Sequence, residues 1–147
     1  MIHIQTMTSA DYDDVYQLWC SCQGMGLNNI DDSQAGIAKF LARNPTTCFV
    51  AKDADKIVGV ILAGHDGRRG FIYHLAVADS HRRQHIATNL TDHALKALAQ
   101  EGIGKVALVV FNRNDGANAF WQAQGFDERQ DLTYRNKALV AIQRYDT

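Results

Sequence analysis

Residues 75–88 read LAVADSHRRQHIAT, and the character of the sequence changes twice within them. LAV ends an apolar run, ADSHRRQH is polar and basic, and IAT begins a pattern in which Ile86 and Leu90 share one helical face. The stretch predicts a strand, a short loop and the first turn of an amphipathic helix. Unpaired N–H groups and the positive end of the helix dipole meet at such a turn, and Arg82 and Arg83 add charge. A pyrophosphate site and a solvated basic face are equally good interpretations of these residues alone.

Three apolar runs precede the loop and are separated only by turns. The runs at 48–51, 57–62 and 71–77 are joined by DADK at 53–56 and by HDGRRG at 65–70. Short apolar runs bounded by turn residues predict an antiparallel meander. Because no helix separates these strands, a doubly wound nucleotide-binding domain fits the chain poorly.

The N-terminal residues predict one strand followed by two helices. Ile2 and Ile4 alternate with polar neighbours, as in a half-buried strand. The apolar residues of 12–19 and of 32–42 recur instead at helical spacing.

Downstream, the helix that starts at Ile86 is predicted to end at Gly102. The continuous apolar run 106–111 predicts a strand buried on both faces, residues 115–124 predict a helix, and the alternation at 132–134 predicts a closing strand. The resulting order is β-α-α-β-β-β-α-β-α-β-β. We predict a single α+β domain over residues 1–147, a three-layer arrangement whose mixed, mostly antiparallel central sheet is flanked by helices.

Composition excludes several classes of function. The 147 residues carry 15 Lys and Arg against 16 Asp and Glu, a net charge of -1, which argues against binding to nucleic acid or to an acidic membrane. Neither a signal peptide nor a membrane-spanning run is evident, so we expect a cytoplasmic location. Cys20, Cys22 and Cys48 lack zinc-like spacing and are interpreted as small apolar residues. His81 and His85 lack an evident third ligand, so we expect no metal.

Two motifs carry a resemblance to a known family. Residues 82–87, RRQHIA, resemble the acyl-CoA signature R/Q-x-x-G-x-G/A of the GNAT superfamily, with His85 at the first Gly. Residues 114–126, NDGANAFWQAQGF, resemble that family's N-x-x-A-x-x-F/L-Y-x-x-x-G-F segment. With the element order, the resemblance covers nearly the whole chain, and residues 64–75 look most similar to small bacterial YpeA-like and RimI-like members.

The resemblance implies an acetyl-CoA-dependent N-acetyltransferase in which an amine attacks the thioester directly, without an acyl-enzyme. The fourth strand of the family pairs with the pantetheine arm, and one of its N–H groups polarises the acetyl carbonyl. The implied acetyl-CoA-binding residues are Leu75, Ala76, Val77, Arg82, Arg83, Gln84, His85, Ile86, Ala87, Thr88, Asn114, Ala117, Phe120 and Trp121. We expect His85 to have a negative φ, because it should lie in the opening turn of the helix.

The general base is predicted from position. RimI-like members place a Glu on the fifth strand, but residues 108–111 contain no acid. His74 lies beside the implied acetyl site and is our candidate base, with a packed histidine as the alternative interpretation. The weaker candidates are Asp79, Asp66 and His65.

The family's Tyr, which protonates the departing thiolate, corresponds here to Trp121, whose indole is not an acid in the needed range. Tyr134 is predicted to compensate if the closing strand lines the acceptor side, and a core or surface tyrosine is the alternative.

Two functions remain open. The first is transfer of acetyl from acetyl-CoA to a primary amine, either a protein N-terminus or a small molecule. The second is a CoA-binding sensor that has lost turnover, which the departures at His85 and Trp121 motivate. The expected partners are acetyl-CoA and an amine acceptor, and the resemblance also allows a homodimer.

Overall fold

The computed structural model describes residues 1–145 and contains five strands and four helices in them. Two short 3₁₀ turns, Ser9–Asp11 and Asp79–His81, precede the first and third helices. The elements in chain order are β1 Ile2–Thr6, α1 Tyr12–Cys20, α2 Gln34–Arg43, β2 Phe49–Asp53, β3 Lys56–His65, β4 Gly70–Val77, α3 Ile86–Gln100, β5 Val106–Leu108 and α4 Asp115–Ala123.

The strands form one sheet in the order β1-β2-β3-β4-β5. The pairs from β1 to β4 are antiparallel, and β5 runs parallel to β4. The parallel pair follows from the chain path, because α3 carries the chain back across the sheet before β5 begins. The predicted fold class, a mixed and mostly antiparallel sheet flanked by helices, is confirmed.

Two apolar cores lie on opposite faces of the sheet. Adjacent strand residues point to opposite faces, so Val60 packs with α1 and α2 while its neighbour Ile61 packs with α3. Ile86 and Leu90 begin the inner face of α3, which repeats every four residues. Burying each large aliphatic side chain of this kind stabilises the fold by about 1.5–3 kcal/mol.

The C-terminal part of the sheet differs from the sequence prediction. The run 106–111 was expected to form one strand buried on both faces, but β5 ends at Leu108 and none of its three residues is fully buried. The predicted closing strands are absent from the described residues after α4, where Leu132 is 62% and Tyr134 67% exposed. The described residues after α4 form no ladder with the outer edge of β5, and an extended segment without a paired edge does not form a strand.

The end of the described chain pairs with the connector between α1 and α2. Asn28 and Arg144 form an antiparallel bridge, and the N–H of Tyr145 donates to the carbonyl of Leu27 at 3.0 Å. The C-terminal segment therefore reaches the region that precedes α2.

Candidate active site

The sheet opens between β4 and β5. Only Gly70–Ile72 of β4 pairs with β5, and β4 continues to Val77 after the pairing has ended. The N–H of Ala78 donates to Val58 on β3, and peptide groups alternate in direction along a strand. The N–H groups of Leu75 and Val77 therefore point away from β3, into the opening. This edge offers free N–H donors to an extended ligand, whereas the carbonyl of Val77 already accepts a hydrogen bond from Arg82.

A cradle of backbone N–H groups lies next to the end of β4. In the described part of the chain, none of the N–H groups of residues 83–88 has a hydrogen-bond acceptor. The last three of them belong to the first turn of α3, where the helix dipole is positive. We call residues 83–88 the N–H cradle, and its geometry suits a phosphate group.

The backbone of the cradle corrects one prediction. His85 has φ 61° and not the expected negative value, and Arg83 has φ 64°. The chain must turn sharply between the 3₁₀ turn Asp79–His81 and α3, and two left-handed residues make that turn. Alternating left-handed residues direct successive N–H groups to one concave side. His85 thus adopts a conformation of the kind that the glycine of the family signature adopts freely.

The two arginines have different surroundings. Nε of Arg82 donates to the carbonyl of Val77 at 3.2 Å, and its Nη2 lies 3.2 Å from Asp79 Oδ1. Arg83 is exposed and forms no ion pair with the residues that the structure describes. Gln84 and His85 are exposed as well. The charge of Arg83 is consequently the less compensated of the two.

Helix α4 meets the cradle from the other side of the opening. Gln124 Nε2 lies 3.4 Å from Thr88 Oγ1 and joins α4 to α3. Asn114 is the N-cap of α4, because its Oδ1 accepts the N–H of Ala117 at 3.1 Å. Its other amide atom, Nδ2, lies against Gly24 of the α1–α2 connector. Asn114 thus has a structural role that the sequence prediction did not include.

The aromatic residues of α4 are packing groups. Trp121 is buried in the core on the α3 face, with its ring 5.0 Å from those of Phe120 and Phe126. Ala117 and Phe120 are partly buried beside it. The predicted acetyl-CoA-binding residues of α4 therefore belong to the core and also line the cleft.

His74 lies on the α1 and α2 face of β4. It is 8% exposed, and its ring packs edge-on against Trp19 with 4.9 Å between centroids. Its Nε2 lies 2.8 Å from Oδ1 of Asp32, which is 3% exposed. Its Nδ1 is buried and has no hydrogen-bond partner among residues 1–145. Both His74 and Asp32 line the cleft that begins between β4 and β5.

Sequence reasoning missed Asp32. It precedes α2 and is 42 residues from His74 in the chain, so no local pattern connects them. A doubled aspartate before a helix, Asp31 and Asp32, is explained as well by the start of the helix.

The weaker base candidates are held by other contacts. The pKa of Asp66 is lowered, because its carboxylate accepts hydrogen bonds from the backbone N–H groups of Arg69 and Arg68 within the same turn. His65 lies 3.3 Å from Glu101, and Asp79 pairs with Arg82.

Tyr134 is not on a strand, which corrects its predicted placement. It is an exposed residue of the C-terminal segment that lines the cleft. The pKa of Tyr73 on β4 is raised, mainly because the phenol is partly buried. The nearby charges of Asp31 and then Tyr134 raise it further. Tyr134 therefore lies near the β4 side of the cleft.

The described residues show neither a metal cluster nor a membrane-spanning helix. Among the described residues, no group of three or more His, Cys, Asp or Glu side chains is arranged to hold a metal ion. Within residues 1–145, no helix combines the length and apolar character needed to cross a bilayer.

Comparison with known proteins identifies a family. A sequence model of the acetyltransferase (GNAT) family matches residues 12–126. An acetyltransferase of Photorhabdus laumondii is 30% identical over 145 residues, which cover 98% of this chain and 100% of the relative.

Solved structures share the fold. The ribosomal-protein-S18-alanine N-acetyltransferase of Escherichia coli has a TM-score of 0.73 at 19% identity, covering 88% of this chain and 80% of that one. Diaminobutyrate acetyltransferase of Paenibacillus lautus, in complex with L-2,4-diaminobutyric acid and coenzyme A, has a TM-score of 0.71 at 23% identity, covering 84% and 74%.

Proposed function

Because the chain belongs to the GNAT family of acetyltransferases, we propose that it transfers acetyl from acetyl-CoA to a primary amine by direct attack in a ternary complex. The observation that carries the proposal is the N–H cradle at the start of α3, adjacent to the unpaired end of β4. Together they offer one site for a phosphate group and one for an extended arm.

The cradle and Arg83 would hold the pyrophosphate, and the open edge of β4 would hold the pantetheine arm. The N–H of Leu75 or Val77 would donate to the acetyl carbonyl oxygen, where negative charge develops during attack. Asn114, Ala117, Phe120 and Trp121 would bound the arm on the side of α4.

His74 would act as the base. In the reaction, a bond forms between the amine nitrogen and the acetyl carbon, the carbon–sulfur bond breaks, and CoA leaves as the thiolate. The proton released by the amine would go to Nδ1 of His74, the ring nitrogen without a partner in the described chain. Because Nδ1 is buried, the side chains that cover it would have to move aside before the amine, or a water that relays the proton, could reach it. Tyr134, on the cleft wall, would supply a proton to the thiolate. This acid is not obligatory, because a thiol with a pKa of about 8.5 forms a stable enough thiolate to leave near neutral pH.

Binding and turnover are tested separately. Calorimetry with acetyl-CoA is paired with a thiol-release assay on a peptide with N-terminal alanine, L-2,4-diaminobutyric acid and spermidine. The first two amines are drawn from the structural neighbours. Binding with release supports the enzyme. Binding without release on all amines supports the CoA-binding sensor, which no observation favours at present, and absence of binding contradicts both.

The base is tested by His74→Ala. We expect kcat to fall roughly 100-fold while the acetyl-CoA dissociation constant is retained, because a base acts on the amine. The rise in kcat with increasing pH should be lost, since the base must be neutral to accept a proton. His3→Ala, which removes an exposed histidine of β1, is the matched control. An unaltered pH profile in His74→Ala would remove His74 from the mechanism.

A further inference from the structure

We propose that Asp32 is a positioning residue that fixes the His74 ring in the tautomer with Nδ1 unprotonated, and so prepares it to accept the amine proton. This inference rests on the proposed function of His74 as the base. It starts from one contact, the 2.8 Å distance between His74 Nε2 and Asp32 Oδ1.

The chemistry of the contact fixes the direction of the hydrogen bond. An ionised carboxylate only accepts hydrogen bonds, so Nε2 must carry the hydrogen in this pair. A neutral imidazole has one N–H, which leaves Nδ1 as the basic nitrogen with its lone pair free. Nδ1 is also the ring atom that finds no partner within the described residues. The same contact therefore orients the ring and selects the nitrogen that can take a proton.

The carboxylate itself is held from several directions. The N–H of Asn28 donates to Asp32 Oδ2 at 2.9 Å, so both carboxylate oxygens have partners. The hydroxyl of Tyr12 on α1 donates to the backbone oxygen of Asp32 at 2.6 Å. With its side chain 4% exposed, Asp32 has little freedom to leave His74. A carboxylate fixed in this way can orient a histidine better than a mobile surface group can.

The groups that face His74 explain why Asp32 can set its state. Trp19 from α1 packs against the ring and carries no charge. Among residues 1–145, Asp32 is the charged group within ion-pair distance of the ring. Once His74 gains the amine proton, the adjacent carboxylate stabilises the imidazolium, while the Nε2 hydrogen stays on the ring.

The tautomer can be measured without knowing the acceptor. Long-range ¹H–¹⁵N correlation spectra of protein labelled at its six histidines report which ring nitrogen carries hydrogen, and His74→Gln assigns the His74 signals. We expect Nε2–H with unprotonated Nδ1 in the wild-type protein. In Asp32→Asn, the amide can donate as well as accept, so we expect a mixed or reversed tautomer. A wild-type ring with hydrogen on Nδ1 would overturn the proposal, even if Asp32→Asn does not fold.

The kinetic arm uses the amine of the panel that the wild-type protein acetylates fastest. We expect Asp32→Asn to lower kcat at least 10-fold, because the amide no longer holds the ring in the tautomer whose Nδ1 accepts the proton. The KM for acetyl-CoA should be retained. The matched control is Glu101→Gln, which alters the exposed pair with His65 and should change neither kcat nor the His74 spectrum.

Failure of this inference is distinguishable from failure of the proposed base. If His74→Ala loses kcat but Asp32→Asn leaves tautomer and kcat unchanged, the role of Asp32 alone is wrong. If His74→Ala keeps the wild-type kcat and pH profile, the base is wrong, and Asp32 then has no catalytic group to position.

Discussion

Nε of Arg82 donates a hydrogen bond to the backbone oxygen of Val77 at 3.2 Å, which folds the residue before the N–H cradle back onto the end of β4. The same guanidinium pairs with Asp79. Arg82 is therefore held by the turn that leads into α3, and Arg83 is the arginine whose charge is available to a phosphate.

Replacing Arg83 by Ala should weaken acetyl-CoA binding about fivefold, the effect of roughly 1 kcal/mol expected for one exposed contact between a cation and a phosphate. The loss should shrink as salt rises to 1 M, because mobile ions screen exposed charges. Calorimetric titrations at low and high salt measure both effects. Lys96→Ala, which removes an exposed cation from the middle of α3, controls for net charge. Equal salt dependence in wild type and Arg83→Ala would exclude this contact.

Replacing His85 by Gly should stabilise the protein. A non-glycine residue at φ 61° is destabilised by roughly 1–2 kcal/mol, because its backbone is left-handed. Glycine avoids this strain, but its more flexible unfolded chain lowers the stability by about 0.5–1 kcal/mol. We expect a net gain of roughly 0.5–1 kcal/mol in the free energy of unfolding, measured by urea denaturation. Gln84→Gly is the control, because Gln84 lacks a positive φ and should lose stability. A destabilised His85→Gly would show that the side chain contributes more than the strain.

Gly36 is a position where alanine should destabilise a helix. A Cβ there would overlap the backbone oxygens of Ile30 and Asp31, which cannot move aside as a flexible side chain can. We expect Gly36→Ala to cost about 2 kcal/mol in thermal or urea unfolding, although alanine is normally the better helix former. A Cβ at Gly116 in α4 would meet no described neighbour within 4 Å, so Gly116→Ala should instead gain up to about 1 kcal/mol. Similar effects at both sites would contradict the proposed overlap.

Local patterns in the sequence predicted most of the fold but not the contacts across it. The four-residue repeat that starts at Ile86 predicted α3, because each repeat specifies a face that must be buried. The alternation near Leu132 also predicted a strand, but alternation describes the faces of a strand and not whether a partner edge is available. β5 is the edge strand of the sheet, but the residues near Leu132 do not pair with it.

The candidate site likewise has parts that the sequence could predict and parts that it could not. The loop before α3 could be predicted because a helix start and two arginines are adjacent in sequence. The φ of His85 could not, since it is set by the need to close a turn between a 3₁₀ turn and α3. The contact between His74 and Asp32 depends on the packing of α1 and α2 against the sheet, which residue spacing alone does not specify.

The last prediction concerns alkaline stability. Burial, followed by the charge of Tyr16, raises the pKa of Tyr12 to about 12, above the usual value near 10. The folded protein thus favours the neutral phenol, whose hydroxyl bonds to the backbone of Asp32. The stability that this provides should be complete below pH 10 and fall as pH rises towards 12, because the unfolded chain loses the proton first. Tyr12→Phe should cost about 1 kcal/mol at pH 7, the usual contribution of a hydrogen bond, and its deficit relative to wild type should shrink between pH 10 and 12. Urea unfolding of both proteins across this range measures the difference, with Tyr134→Phe, which changes an exposed tyrosine, as the control. A deficit that stays constant to pH 12 would mean that Tyr12 titrates alike in the folded and unfolded chains.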